Sequence, residues 1–214
     1  MSFAENLFDE YVVQGGVTML ALVPLSIYTF GLIIQRSLEL RQSKVISAEV
    51  IAAAKKVKNQ QSFNEFVAFL NKNPSPLANI LLGYIDLGER GESIDPKENL
   101  IPIDDEAEQL YHGISQISTS YIVAPLIGVL GTTVGIMATF KQFAMTGKRD
   151  MAALVSAIDK SLITTMWGLL IAVPAYFFYA LLQSKIFKYE RKALPKIAGE
   201  IMPQLAPYIR PRKS

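Results

Sequence analysis

From Tyr121 to Phe140 the chain reads YIVAPLIGVLGTTVGIMATF, without a single charged side chain. About twenty uncharged residues are enough for a helix to cross a hydrocarbon core of about 30 Å. No other feature narrows the available folds as much. The composition is unusual for a plain anchor. Tyr121, Pro125, Gly128, Thr132, Gly135, Thr139 and Gln142 recur at alternating steps of four and three, so they share one helix face. Leu126, Val129, Leu130, Val134 and Met137 cover the remainder. Small residues let helices approach closely in lipid, and hydroxyls either bond between helices or line a wet path.

A second uncharged stretch, SLITTMWGLLIAVPAYFFY from Ser161 to Tyr179, places Ser161, Thr165, Gly168, Ala172, Ala175 and Tyr179 on one face by the same spacing. Gly128, Gly135, Gly168 and Ala172 are the candidate packing positions, and Thr132, Thr139, Ser161 and Thr165 the candidate lining of an ion path. The pattern alone fits close helix packing as well as it fits a path.

Half of the residues are hydrophobic, more than most soluble chains need, and they bunch into three blocks. The first, GVTMLALVPLSIYTFGLII from Gly16 to Ile34, has no Lys or Arg before it and no small-residue cleavage site after it, which favours a retained span over a signal peptide. Pro24 marks an expected kink. Arg36, Arg41, Lys44, Lys55, Lys56 and Lys58 follow this span, and Lys185, Lys188, Arg191, Lys192 and Lys196 follow the third. Both clusters point to the cytoplasmic side, with the N-terminus outside and the C-terminus cytoplasmic. Arg36, Arg41, Lys185, Lys188, Arg191 and Lys192 are then the expected contacts to lipid headgroups.

The expected fold is an all-α integral membrane protein with three transmembrane helices, two of them extended into the cytoplasm, and a small cytoplasmic helical region. Its sections are an extracytoplasmic amphipathic segment (1–15), span one (16–35), the cytoplasmic helical region (36–118), span two (119–143), a short extracytoplasmic loop (144–160), span three (161–184) and a basic cytoplasmic tail (185–214). In the first of these, Phe3, Leu7, Phe8, Tyr11 and Val12 share a helix face suited to a membrane surface. Span one is expected to continue as one helix to Val57. A capping box is read at Ser62–Glu65 and an N-cap followed by proline at Ser75-Pro76. Gly91 is read as a stop, and the segment from Gly91 to Pro102 as a loop. Acidic residues from Asp104 then open a helix running to Phe143, roughly forty residues and about 60 Å long. Pro195, Pro203, Pro207 and Pro211 are expected to end the last helix.

The inventory for chemistry is thin. There is no cysteine and one histidine, His112, so no thiolate site or paired-imidazole metal site can form. A net charge of +2 is too mild to imply a nucleic-acid partner. Gly128, Gly131 and Gly135 lie inside a span with no lysine placed to meet a phosphate. Asp104 and Asp105 sit at a helix start, where capping explains them. The chain reads as no enzyme, with no cofactor. Ion translocation, or mechanical work driven by it, remains. A threonine hydroxyl donates and accepts hydrogen bonds but does not titrate near neutral pH, so it can line a proton path without storing the proton. A storing carboxylate is missing from all three spans, so a partner chain would have to supply the acid. A non-conducting membrane scaffold that packs and positions partner helices is the alternative.

APLIGVLGTTVGIMATF followed by SLITTMWGLLIAVPAYFFY resembles the core of the ExbB/TolQ/MotA family, the stator subunits of ion-driven membrane motors, and most closely its ExbB/TolQ branch. There a GT-x-x-GIM-x-x-F pattern in one helix precedes T-x-x-GL-x-x-A-x-PA in the next. The likeness covers Ala124 to Tyr179, and the two motifs together, in this order, are fairly specific. The resemblance implies a bacterial inner-membrane pentamer around a single-span partner of the ExbD/TolR type, whose membrane aspartate visits threonines matching Thr132 and Thr165. Protons are the implied ion, with sodium the alternative, and a TonB- or TolA-type protein a further partner. Two positions depart from the pattern. Lys160 stands where many relatives carry glutamate, leaving Asp159 and Lys160 as candidate charges at the mouth of the path. Ala180 follows Tyr179 where asparagine is frequent.

Overall fold

The computed structural model describes residues 18–146 and 151–211. The expected amphipathic segment at 1–15 and residues 147–150 of the expected loop lie outside these. Among the described residues the regular structure is helical. Three helices are long and apolar enough to cross a membrane, making this an all-α membrane protein. They are α1 (Met19–Glu39), α6 (Ile101–Thr146) and α7 (Met151–Lys188). Between α1 and α6 lie α2 (Gln42–Val45), α3 (Ala48–Ala54), α4 (Gln60–Lys72) and α5 (Pro76–Glu89). A π-helical turn (Tyr189–Ala193) leads from α7 into α8 (Leu194–Leu205).

Two compact units share the chain. Of the described residues, one is formed by those up to Ile34 and those within Ser115–Ala180, the other by Gln35–Ile114 and those from Leu181 on. In the first unit, Met19 and Leu22 of α1, Ala124 of α6 and Ile171 of α7 form a buried cluster, flanked by Leu25, Ile127, Ile163 and Trp167. Most large side chains facing away from this cluster are exposed, among them Leu126, Leu130, Val134, Leu162, Leu169 and Val173. In a membrane-spanning segment that surface meets lipid or other helices rather than water.

The second unit has the ordinary core of a soluble domain. Leu77, Ile80, Leu81 and Tyr84 of α5 are fully buried, as are Leu70 of α4, Ile103 of α6, Ile186 of α7 and Leu194 and Leu205 of α8. The Tyr84 hydroxyl donates to the Asn99 carbonyl at 2.8 Å. Burial, with the charges of Asp104 and Asp95, raises that phenol above its usual range.

Several boundaries differ from those read in the sequence. Helix α1 stops at Glu39 instead of reaching Val57, because Arg41 turns extended (φ −64°, ψ 140°) and starts the short α2. The capping box that opens α4 centres on Asn59, whose side chain accepts from Ser62 N at 2.7 Å while Ser62 Oγ accepts from Asn59 N at 3.0 Å. Ser62 is therefore the third residue of the box and not its cap. Ser75 caps α5 with Pro76 behind it, and Gly91 ends the segment at φ +79°. Residues 144–146 and 151–160 are helical rather than loop. The stretch after Lys185 is no unstructured tail: α8 carries Pro195 in its first turn, where a missing N–H costs nothing. Its face of Leu194, Ala198, Ile201, Met202 and Leu205 is buried, and it packs on α5 and α3.

Gly91 tests this assignment of the second unit. Alanine there meets nothing within 4 Å but must adopt a positive φ, which costs about 1 kcal/mol. Gly91→Ala should lower the melting temperature in detergent by a few degrees, whereas Gly199→Ala, equally unobstructed and without that constraint, should not. Equal melting temperatures for the two variants would contradict the left-handed turn.

Candidate functional site

Small residues on α6 and α7 bring two backbones together. A β-carbon on Gly168 would lie 2.6 Å from the Ala124 carbonyl oxygen and 3.2 Å from Pro125 Cα. One on Gly128 would lie 2.9 Å from Thr164 O and 3.0 Å from Thr165 Cα. Further along, one on Gly131 would meet Thr164 Oγ1 and Thr18 Oγ1, both at 2.8 Å, and one on Gly135 would overlap Ser161 Oγ. The numbering rises on one helix as it falls on the other, so α6 and α7 run antiparallel through this crossing. Only glycine allows the approach, and in lipid such packing is what holds helices together.

Hydroxyls fill the seam that the glycines open. Thr164 is 3% exposed. Its Oγ1 lies 2.8 Å from the Ser161 carbonyl and 3.1 Å from that of Gly128. Thr165 Oγ1 donates to the same Gly128 oxygen at 3.2 Å. Two consecutive residues of α7 therefore converge on one carbonyl of α6. Thr132, half-buried, donates to Val129 O at 2.7 Å, and Thr139, also half-buried, donates to Gly135 O at 2.9 Å. Ser161 is buried.

The sequence pattern identified Gly128, Gly135 and Gly168 as packing positions, and the structure places all three at this crossing. Ala172 is buried, and the fully buried Ala175 lies one turn on. Their partners belong to the same chain, so the small faces do not by themselves imply contacts between copies. The contact is wider than the faces the spacing favoured. It takes in Gly128, Gly131 and Gly135 of α6 and Ser161, Thr164, Thr165 and Gly168 of α7, which adds Gly131 and Thr164 to the expected residues. Thr29 of α1, fully buried with its hydroxyl on Leu25 O at 2.6 Å, was not singled out. Its signal was a lone threonine in an apolar run, which is weak.

Asp159 is exposed, and Lys160 is part of α7; the structure does not describe the Lys160 side chain. Arg36 Nη1 donates to Glu39 at 2.5 Å, and its guanidinium lies where a β-carbon on Gly113 would approach at 3.0 Å. Arg191 pairs with Glu190 at 2.9 Å, and Glu190 also accepts from the Tyr111 hydroxyl at 3.0 Å. Arg41, Lys188 and Lys192 are exposed, and Lys185 is half-exposed. Among the described residues no group of three His, Asp or Glu side chains is placed to hold a metal ion.

The geometry defines a helical membrane protein whose second and third spans cross on glycine and bury hydroxyls between them. Residues 97–193, which contain this whole crossing, match the MotA/TolQ/ExbB proton channel family. Similar proteins carry the name of that family's ExbB branch. An ExbB homolog of Methanothermobacter thermautotrophicus is 26% identical over 81% of this chain and 62% of its own length. An ExbB-like protein of Helicobacter pylori is 36% identical over 35% of this chain and 40% of its own. The biopolymer transport protein ExbB of Xanthomonas campestris is 33% identical over 34% of this chain and 28% of its own. The chain thus spans less than two thirds of the length of each.

A single methyl group tests the crossing. In Gly168→Ala the new carbon meets a backbone carbonyl that cannot rotate away, so the helices must separate, at about 1–3 kcal/mol. Gly31→Ala, with nothing within 4 Å, is the control. The first should melt several degrees below the parent in detergent and the second alongside it. Equal melting would show that the backbones are not in contact.

Proposed function

We propose that this chain is a stator subunit of an inner-membrane motor, carrying protons and coupling their flow to mechanical work on a partner complex, as in TonB- or Tol-type energy transduction. The family match across residues 97–193 carries the reading, because it falls on the two spans that form the hydroxyl-lined seam. The chain sits in the bacterial inner membrane with its N-terminus outside and its C-terminus cytoplasmic. Copies assemble as a ring, a pentamer by family likeness, around a single-span partner of the ExbD/TolR type.

The partner's membrane aspartate supplies what this chain lacks, since residues 16–34, 119–143 and 161–184 contain neither Asp nor Glu. Thr132 and Thr165 receive it, with Thr139 and Ser161 extending the lining and Asp159 and Lys160 at the mouth. The described hydrogen bonds give these threonines a chemical preference. Each has directed its only hydroxyl hydrogen to a carbonyl and presents lone pairs outward. They are therefore set to accept from a protonated acid, and a carboxylate would be served only after the hydroxyls rotate. One charge crossing 100 mV releases about 2.3 kcal/mol, enough to drive such a two-state exchange more than tenfold.

Removal of the hydroxyls is the direct test. Thr132→Val and Thr165→Val keep side-chain shape but leave a buried acid unpartnered, at about 1–3 kcal/mol. Both variants, co-reconstituted with the partner in proteoliposomes, should lose at least ~tenfold in proton flux while still assembling. Thr133→Val, exposed on another face, should retain it. Thr164→Val is no control, because that hydroxyl lies inside the helix crossing; Thr164→Ser is the matched variant. No flux from the parent with its partner would favour the scaffold reading, and assembly failure in Thr132→Val or Thr165→Val would make those threonines packing residues.

The orientation has its own test. Lys56→Cys lies in the section assigned to the cytoplasm and Ser156→Cys in the section facing the other way. A membrane-impermeant maleimide should reach them from opposite sides. Labelling of both from one side would overturn the three-span topology.

A further inference from the structure

Within the second unit, the first turns of α6 present one inner ridge, Ile103, Glu106, Leu110 and Ile114, spaced by three and four residues. Ile103 and Ile114 are buried, as the pattern requires, and so is Glu106, which is 7% exposed. A carboxyl group thus stands where an apolar side chain belongs, outside the uncharged stretch Tyr121–Phe140. A buried carboxylate is costly unless a cation pairs with it, and among the described residues Glu106 forms no ion pair. Asn79 of α5 meets it instead, with Nδ2 donating to Glu106 Oε2 at 3.0 Å. One turn along each helix, a β-carbon on Gly83 would lie 2.9 Å from Pro102 Cβ, so the two helices touch tightly beside the pair. Asn79 is exposed, and a swing of this one amide opens the carboxyl to water.

The ionisable groups around the interface leave Glu106 alone. Lys44, Lys72 and Glu39 border the surface at Leu110, one turn beyond it, and there Lys44 and Arg36 act on Glu39. On α5, Tyr84 donates to Asn99 O and Asp86 pairs with Arg90. Asp104, Asp105 and Glu108 of α6 are exposed. Burial, opposed by the Asn79 bond, therefore sets the proton affinity of Glu106 and holds it above the usual carboxylate range.

We propose that Glu106 is a proton-binding site and that its protonation fastens α5 to α6. As a carboxylate it only accepts hydrogen bonds. A proton taken from water onto Oε1 removes the buried charge and adds a donor, which the Asn79 carbonyl can accept while Oε2 keeps its bond to Nδ2. The fastening is complete below the unfolded carboxylate range and is lost as the pH rises through the higher folded value. The device does not depend on ion conduction.

Infrared difference spectroscopy of the full chain in detergent reads the proton directly. Spectra at about pH 5 and about pH 8 should differ by a buried protonated-carboxyl band. Glu106→Gln should remove that band, and Glu108→Gln, which alters an exposed carboxylate of the same helix, should leave it. Asn79→Ala removes a donor that favours the carboxylate, so the band should then persist to higher pH. Melting reads the fastening. Glu106→Gln keeps an oxygen for Asn79 and carries no charge, so it should melt with the parent at about pH 5 and several degrees above it at about pH 8. Absence of the band from the parent, or its survival in Glu106→Gln, would overturn the proton site. The same difference in melting temperature between parent and Glu106→Gln at both pH values would overturn the fastening.

Discussion

The membrane unit depends on backbone lying directly against backbone where Gly128 meets Thr164 and Thr165 and where Gly168 meets Ala124. Lipid supplies no hydrophobic drive to bring two helices together, so contact area must come from closeness. Glycine at 128, 131 and 135 removes the side chains that would hold α6 and α7 apart. Leu22, Ala124 and Ile171 can then form a buried cluster with residues from all three spans. The outward leucines and valines, by contrast, have no set partner in the chain and stay exposed.

Closeness also determines the state of the hydroxyls. A polar side chain between two apolar helices must find a partner within the protein. Thr164 and Thr165 find theirs on Gly128 O, which is accessible because the glycine bears no side chain to cover it. The same glycines that permit packing thus supply the acceptors. This explains why packing and polar lining could not be separated by residue spacing alone: the two roles fall on adjacent residues of one crossing.

Much of this was legible in the sequence, for physical reasons that also fix its limits. Uncharged length identifies a span without reference to the rest of the fold, and the three spans emerged clearly. Step-of-three-and-four spacing found the glycines, but Ser161, Thr165, Gly168 and Ser161, Thr164, Gly168 are both legitimate ridges on a helix. How much of each faces α6 depends on the crossing itself, and there both Thr164 and Thr165 reach Gly128. Boundaries set by local chemistry, such as Ser75-Pro76 and Gly91, were also readable. The end of α1 was not, because no proline or glycine marks Arg41; tertiary packing turns the chain there. The prolines near the C-terminus misled for the opposite reason. Pro195 sits where a helix tolerates it, and the apolar face of α8, too short to signal a span, is buried against α5.

The folded C-terminal segment changes what its charges can do. A basic tail would offer every lysine and arginine to lipid on equal terms. In the folded unit Arg191 is held by Glu190, itself anchored to Tyr111, while the Tyr189 hydroxyl donates to the Leu40 carbonyl just beyond the end of α1. Arg36 is likewise occupied by Glu39. Pairing of this kind removes a cation from the pool available to an external anion, since a second carboxylate or phosphate must displace the first. Net charge in the sequence therefore overstates how much of this surface is available to anions and says little about where it lies.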